Sequence, residues 1–178
     1  MFAVVTGGSG SGKSAYAEQL VGSFAADENI YVATMMCFDE ESRARVRRHR
    51  KMREGRHFAT VERYVNLKEL SLGERHGRRA VLLECMSNLA ANEMFDPGGS
   101  GRNALPEILD GIDVLRSQCD LLVVVTNEIF SDGYTYDPST VQYQQLLGRI
   151  NQEMAARADM VTEVVYGIPL CLKGTSHG

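Results

Sequence analysis

Gly7-Gly8-Ser9-Gly10-Ser11-Gly12-Lys13-Ser14 follows directly on the apolar run Phe2-Ala3-Val4-Val5-Thr6. The octapeptide satisfies the phosphate-loop pattern G-x-x-x-x-G-K-[ST] at every position. The residue types follow from what a triphosphate demands. Several backbone N–H groups must converge on one small concavity, and glycine permits both the dihedrals and the close approach. Lys13 is placed to reach the β- and γ-phosphates, and the Ser14 hydroxyl to complete a Mg²⁺ shell. The motif needs a strand before it and a helix after it. Phe2–Thr6 is a short β-favouring run, and Tyr16, Ala17, Leu20, Val21 and Phe24 recur at helical spacing, with Glu18 and Gln19 expected outward. The start of that helix adds partial positive charge to the loop. Binding of a nucleoside triphosphate is the first functional expectation.

The rest of the composition narrows the class. The chain has 178 residues, 44% of them hydrophobic, which suits one nucleotide-binding unit over 1–178 with a proper core. A net charge of −4 argues against bulk attraction to nucleic acid or anionic lipid. No apolar stretch approaches the roughly 20 residues that span a bilayer. The first apolar run is short and leads straight into the phosphate loop, unlike a signal peptide. The expectation is a cytoplasmic protein with neither nucleic-acid nor membrane partners. Cys37, Cys85, Cys119 and Cys171 are far apart and form no C-x-x-C pair, so they read as unpaired thiols rather than a zinc or redox site.

Further along, apolar strands alternate with amphipathic helices. Strands are expected at Asn29–Thr34, Phe58–Glu62, Arg79–Cys85, Asp120–Thr126, Val161–Tyr166 and Leu170–Leu172. Helices are expected after Asp39, at Asn66–Leu72, Met86–Phe95, Leu105–Cys119 and Val141–Ala158, with a loop over Ser131–Ser139. This alternation predicts a three-layer α/β fold of the P-loop NTPase (RecA-like) type, a mostly parallel sheet covered by helices on both faces. Ligands of such sheets sit beyond the carboxyl ends of the strands. Thr34, Glu84 and Thr126-Asn127-Glu128 end strands there.

Glu84 closes an apolar run, the layout of a carboxylate that orients Mg²⁺ or its waters near the phosphates. It could equally serve as a base toward a substrate hydroxyl, or simply end a strand at the solvent edge. Between Arg43 and Arg56 lie eight of the 19 Lys and Arg residues, with His49 among them. A solvated charged face is the ordinary meaning of such a run. A nucleic-acid patch is a second reading, though no aromatic residue interleaves it. A clamp for phosphates is the third. Surrounding cations disfavour a charged imidazole, and a neutral one beside phosphate-binding groups is a nucleophile for phosphorus.

Taken in order, the segments resemble the bifunctional adenosylcobinamide kinase/adenosylcobinamide-phosphate guanylyltransferases of cobalamin biosynthesis. The resemblance is carried by Val5-Thr6-Gly7-Gly8 with Ser11-Gly12-Lys13-Ser14, Tyr31-Val32-Ala33-Thr34, Arg45-Val46-Arg47-Arg48-His49-Arg50, Thr60-Val61-Glu62 and Leu82-Leu83-Glu84-Cys85. Val125-Thr126-Asn127-Glu128, Gly148-Arg149-Ile150-Asn151-Gln152 and Gly167-Ile168-Pro169 continue it. It implies phosphorylation of a corrinoid hydroxyl by ATP or GTP, then GMP transfer from GTP through a guanylylated histidine, here His49. It also implies that Gly7 to Ser14, Thr34, Glu62 and Glu84 bind the nucleotide, that Ser14 and Glu84 hold Mg²⁺, and that the chains form a homotrimer. One stretch departs from the family: Ile129 to Pro138 is acidic and aromatic where the family is glycine-rich. The remaining alternatives are a small-molecule kinase without nucleotidyl transfer and a non-catalytic, nucleotide-dependent RNA-binding protein.

Overall fold

The computed structural model describes residues 1–36, 40, 58–129 and 136–174. Its elements run β1 (Phe2–Thr6), α1 (Lys13–Ser23), β2 (Glu28–Ala33), β3 (Phe58–Glu62), β4 (Arg79–Glu84), α2 (Met86–Phe95), α3 (Ala104–Ser117), β5 (Leu121–Val125), α4 (Pro138–Arg157), β6 (Met160–Val165) and β7 (Ile168–Lys173). The expected helix after Asp39, the basic run with His49, Cys37 and residues 130–135 lie outside the described residues.

The strands form one sheet in the order β3-β2-β4-β5-β1-β6-β7. All neighbours are parallel except β6 and β7, an antiparallel hairpin through Tyr166-Gly167. Parallel strands buried on both faces call for continuous apolar runs, and β4 and β5 are buried at every position. Alternate side chains divide between two cores. Phe2, Val4, Val81, Leu83, Leu122 and Val124 face α2, α3 and α4, whereas Ala3, Val5, Leu82, Val123 and Val125 face α1 with Ala17 and Val21. Each fully covered Leu or Val contributes about 1.5–3 kcal/mol over its exposed state. The sheet is therefore the middle of three layers, and its parallel strands point their carboxyl ends to a single edge.

Three expectations change. Asn66–Leu72 is only a 3-10 turn at Leu67–Glu69, because Asn66 stands in the left-handed region (φ 54°) and its N–H is taken by Glu93. α4 starts at Pro138, earlier than apolar spacing suggests. Asp137 accepts from Ser139 N and Thr140 N, and proline at the first position presets the helical φ. Glu18 is buried, not outward. Among the described residues Cys85, Cys119 and Cys171 are free thiols, and no helix is long and apolar enough to cross a membrane.

Candidate active site

β1 ends between β5 and β6, and the chain then wraps into a loop before α1. Gly7 has φ +151°, and a Cβ there would stand 2.5 Å from the Val164 carbonyl oxygen. Gly12 has φ +93° with Gly167 Cα 3.3 Å from its Cβ position. Neither place takes a side chain without displacing the backbone of the β6–β7 hairpin. That hairpin is bonded to the loop, Gly167 N donating to Ser11 O at 2.8 Å. By contrast, a Cβ at Gly8 or Gly10 would meet nothing within 4 Å. The outer rim of the loop is open, as a cradle for an anion must be.

Lys13, at the start of α1, is 9% exposed, and its Nζ donates to Gly8 O at 2.9 Å. Burial draws its pKa below the ordinary lysine value, and the nearby Glu84 carboxylate offsets part of that. Ser14, next on the helix, donates its hydroxyl to Glu84 Oε1. Glu84 belongs to β4, with β5 lying between it and β1. The register Glu84–Val125–Val5 sets all three strand ends level, so the loop, curving over β5, brings Ser14 down onto the carboxylate. Tyr31 on β2 donates its hydroxyl to Glu84 Oε2 at 3.0 Å.

Mg²⁺ takes hard oxygen donors, keeps several waters, and is held by one or two protein oxygens together with substrate phosphates. The pair fits that demand. Ser14 donates a hydrogen bond to Glu84 and keeps lone pairs for a cation, beside a carboxylate that is 8% exposed. Among the described residues no three or more His, Cys, Asp and Glu side chains gather into a metal cage, which such a phosphate-completed site does not require.

The other expected residues are distributed unevenly. Thr34 is fully buried and sits beneath the site. Its hydroxyl donates to Cys85 O and accepts from Cys85 N, both at 2.8 Å, so the side chain braces β2 against β4 rather than facing a ligand. Glu62 is exposed and accepts from the Tyr64 hydroxyl at 2.7 Å. It pairs with Ala33, which pairs with Glu84, so Glu62 lies two strand spacings, about 10 Å, along the same edge. Thr126 bonds Asn151 of α4, and Asn127 bonds Ser87 of α2. Glu128 N donates to Gly7 O at 3.3 Å, which ties the end of β5 to the phosphate loop. Cys85, buried and bonded to Ser87, has its thiol pushed up by desolvation and stays neutral.

Sequence reading missed Tyr31, Asn92 and Asn151. Asn92 Nδ2 spans Thr34 O and Tyr64 O at 2.8 and 3.0 Å, clasping the ends of β2 and β3. Tyr31 carried a usable signal, since a tyrosine inside a buried strand must find a partner for its hydroxyl.

A phosphate loop after β1, a lysine folded over it, and a serine paired with a carboxylate from two strands away define a P-loop nucleoside triphosphate-binding protein. The fold agrees: an ATPase domain of known structure superposes with a TM-score of 0.50 at 11% identity, over 91% of this chain and 68% of that one. The flagellar accessory protein FlaH from Methanocaldococcus jannaschii also gives 0.50, at 12% identity over 98% and 78%. The family model described as cobinamide kinase / cobinamide phosphate guanyltransferase matches residues 3–172, and the chain belongs to that family. The bifunctional adenosylcobalamin biosynthesis protein CobU of Escherichia coli (strain K12) is 34% identical over 97% of this chain and all of its own length. The bifunctional adenosylcobalamin biosynthesis protein CobP of Pseudomonas aeruginosa is 28% identical over 96% of each.

Proposed function

We propose that this chain phosphorylates the hydroxyl of adenosylcobinamide with ATP or GTP, and then transfers GMP from GTP to the new phosphate. The first reaction leaves a nucleoside diphosphate; the second yields adenosylcobinamide-GDP and pyrophosphate. Family membership supports the substrates. The observation that carries the chemistry is the Ser14–Glu84 pair beside Lys13 and an open loop. Such a site positions a triphosphate and neutralises charge on it, which is most of what phosphoryl transfer asks of a protein.

In this reading the N–H groups of Gly7 to Ser14 bind the phosphates, and Lys13 leaves Gly8 O to follow the charge of the transferred group. Mg²⁺, held through Ser14 and Glu84, would supply Lewis acidity at the β- and γ-oxygens. Glu62 extends the nucleotide site along the strand edge, and Thr34 supports that edge from within the sheet. His49 attacks the α-phosphorus of GTP, expels pyrophosphate, and passes GMP to the corrinoid phosphate. One unit, residues 1–178, carries both reactions in the cytoplasm.

Incubation with adenosylcobinamide, Mg²⁺ and either ATP or GTP, read by mass spectrometry, tests this. GTP is expected to give the phosphate and then the GDP adduct, whereas ATP alone stops at the phosphate. A chain that stops at the phosphate even with GTP is a kinase without nucleotidyl transfer. Absence of both products removes the proposal.

The homotrimer has a specific surface in its favour. Ile168, Leu170 and Leu172 of β7 are 61%, 45% and 62% exposed on a strand whose outer edge bonds no other described strand. An exposed apolar edge invites a partner. Light scattering is expected to give three times the 19.7 kDa of one chain, and Leu170→Lys with Leu172→Lys should lower it. A wild-type monomer at all concentrations excludes the assembly.

A further inference from the structure

We propose that Tyr31 is a positioning residue for the Glu84 carboxylate, holding it in the orientation in which Ser14 and Glu84 receive a nucleotide-bound divalent cation. This rests on the metal reading of that pair given above. Tyr31 lies mid-strand in β2, 4% exposed, opposite Leu82 of β4. Its side chain belongs to the core on the α1 side of the sheet, the side from which Ser14 approaches. Reaching diagonally past Leu82, its hydroxyl meets the carboxylate two residues further along β4. The two oxygens of Glu84 are thereby divided: Oε2 takes the phenol at 3.0 Å, and Oε1 takes Ser14.

That division has a physical purpose. The last torsion of a glutamate is broad, with no sharp rotamer to fix the carboxylate plane. A donor on Oε2 defines the plane and so aims Oε1. Because the phenol is neutral, it does so without cancelling the charge that attracts the cation. The ring is itself held. Phe58, at the start of β3, meets it edge-on, with centroids 6.2 Å apart and planes at 76°. The path Phe58–Tyr31–Glu84–Ser14 thus crosses three strands and ends on the phosphate loop. For packing alone phenylalanine would serve better at position 31, since a buried hydroxyl costs free energy unless it is bonded.

The test is the gain in GTP affinity produced by Mn²⁺, measured as the ratio of the dissociation constants of a fluorescent GTP analogue in EDTA and in Mn²⁺. The line width of bound Mn²⁺ in electron paramagnetic resonance serves as a second readout. Tyr31→Phe keeps the ring and its contact with Phe58. It is expected to cut the Mn²⁺ gain by about tenfold, the low end for loss of a hydrogen bond to a charged group, and to leave affinity in EDTA unchanged. Tyr31→Leu should lose the same gain and also unfold at a lower temperature. If Tyr31→Phe keeps the wild-type gain, Tyr31 is a packing residue and the proposal is overturned. The same holds if it weakens GTP binding equally with and without metal. Should Tyr31→Phe not fold, Phe58→Leu probes the link from its outer, half-buried end: a reduced gain supports it, and a wild-type gain overturns it. A wild-type protein that shows no Mn²⁺ gain refutes the Ser14–Glu84 metal reading itself, a distinct outcome.

Discussion

Lys13→Met is expected to lower corrinoid phosphorylation by about 10²–10³-fold, the usual loss when one preorganised donor to a developing charge is removed, without destabilising the fold. The two halves of this prediction have one cause. Lys13 is held in a place where burial works against its charge and draws its pKa down, although the Glu84 carboxylate pulls the other way. A lysine whose pKa is lower folded than unfolded binds fewer protons in the native state, so stability rises with pH through that range. Below that range, where both states are protonated, folding bears the whole cost of the desolvated cation. Methionine, of similar length and without charge, removes the cost. The melting temperature of Lys13→Met should therefore equal or exceed that of wild type, while turnover collapses. Bound triphosphate brings counter-charge to the lysine, so added GTP should raise the melting temperature of wild type more than that of the variant. A variant that melts lower yet turns over normally would make Lys13 a structural residue, its bond to Gly8 O serving only to close the loop.

What was legible beforehand follows the range of each interaction. The phosphate loop, the strands and α2 were readable because backbone demands and apolar runs are local: Met86–Phe95 forms as expected. The same is true of Glu84, which ends an apolar run and does stand against Ser14. Misreadings arose where a distant partner decides. The stretch after Asn66 resembles a helix until Glu93, 27 residues on, takes the Asn66 N–H and the Ser100 hydroxyl and so fixes a turn and a loop together. Thr34 ends its strand at the right edge, but its hydroxyl is engaged by Cys85 across the sheet. Tyr31 reads as one more core residue until β2 and β4 are known to be neighbours, for only that pairing puts its hydroxyl near Glu84. Sheet order is a long-range property, and side-chain roles that depend on it are invisible in a single strand.

His49→Ala is expected to abolish guanylyl transfer while leaving phosphorylation near the wild-type rate, an asymmetry that Lys13→Met should not show. His49 stands in Arg45-Val46-Arg47-Arg48-His49-Arg50, among cations that disfavour imidazolium and keep a nitrogen lone pair available. The same arginines would stabilise negative charge on the α-phosphate as pyrophosphate leaves. With GTP labelled at the α-phosphate, Mg²⁺ and no corrinoid, wild type should carry label that is lost in acid and kept in base, the behaviour of a phosphorus–nitrogen bond. His49→Ala should carry none, and should still convert adenosylcobinamide to its phosphate. Lys13→Met should lose both signals, because in the proposed scheme one phosphate loop presents GTP to either acceptor. Loss of one activity in one variant and of both in the other is the pattern of two reactions sharing a nucleotide site and differing in nucleophile. Label that persists in His49→Ala places the acceptor on another residue. Loss of phosphorylation along with labelling would make His49 part of the shared nucleotide site, and the division of labour between the loop and the basic segment would fall with it.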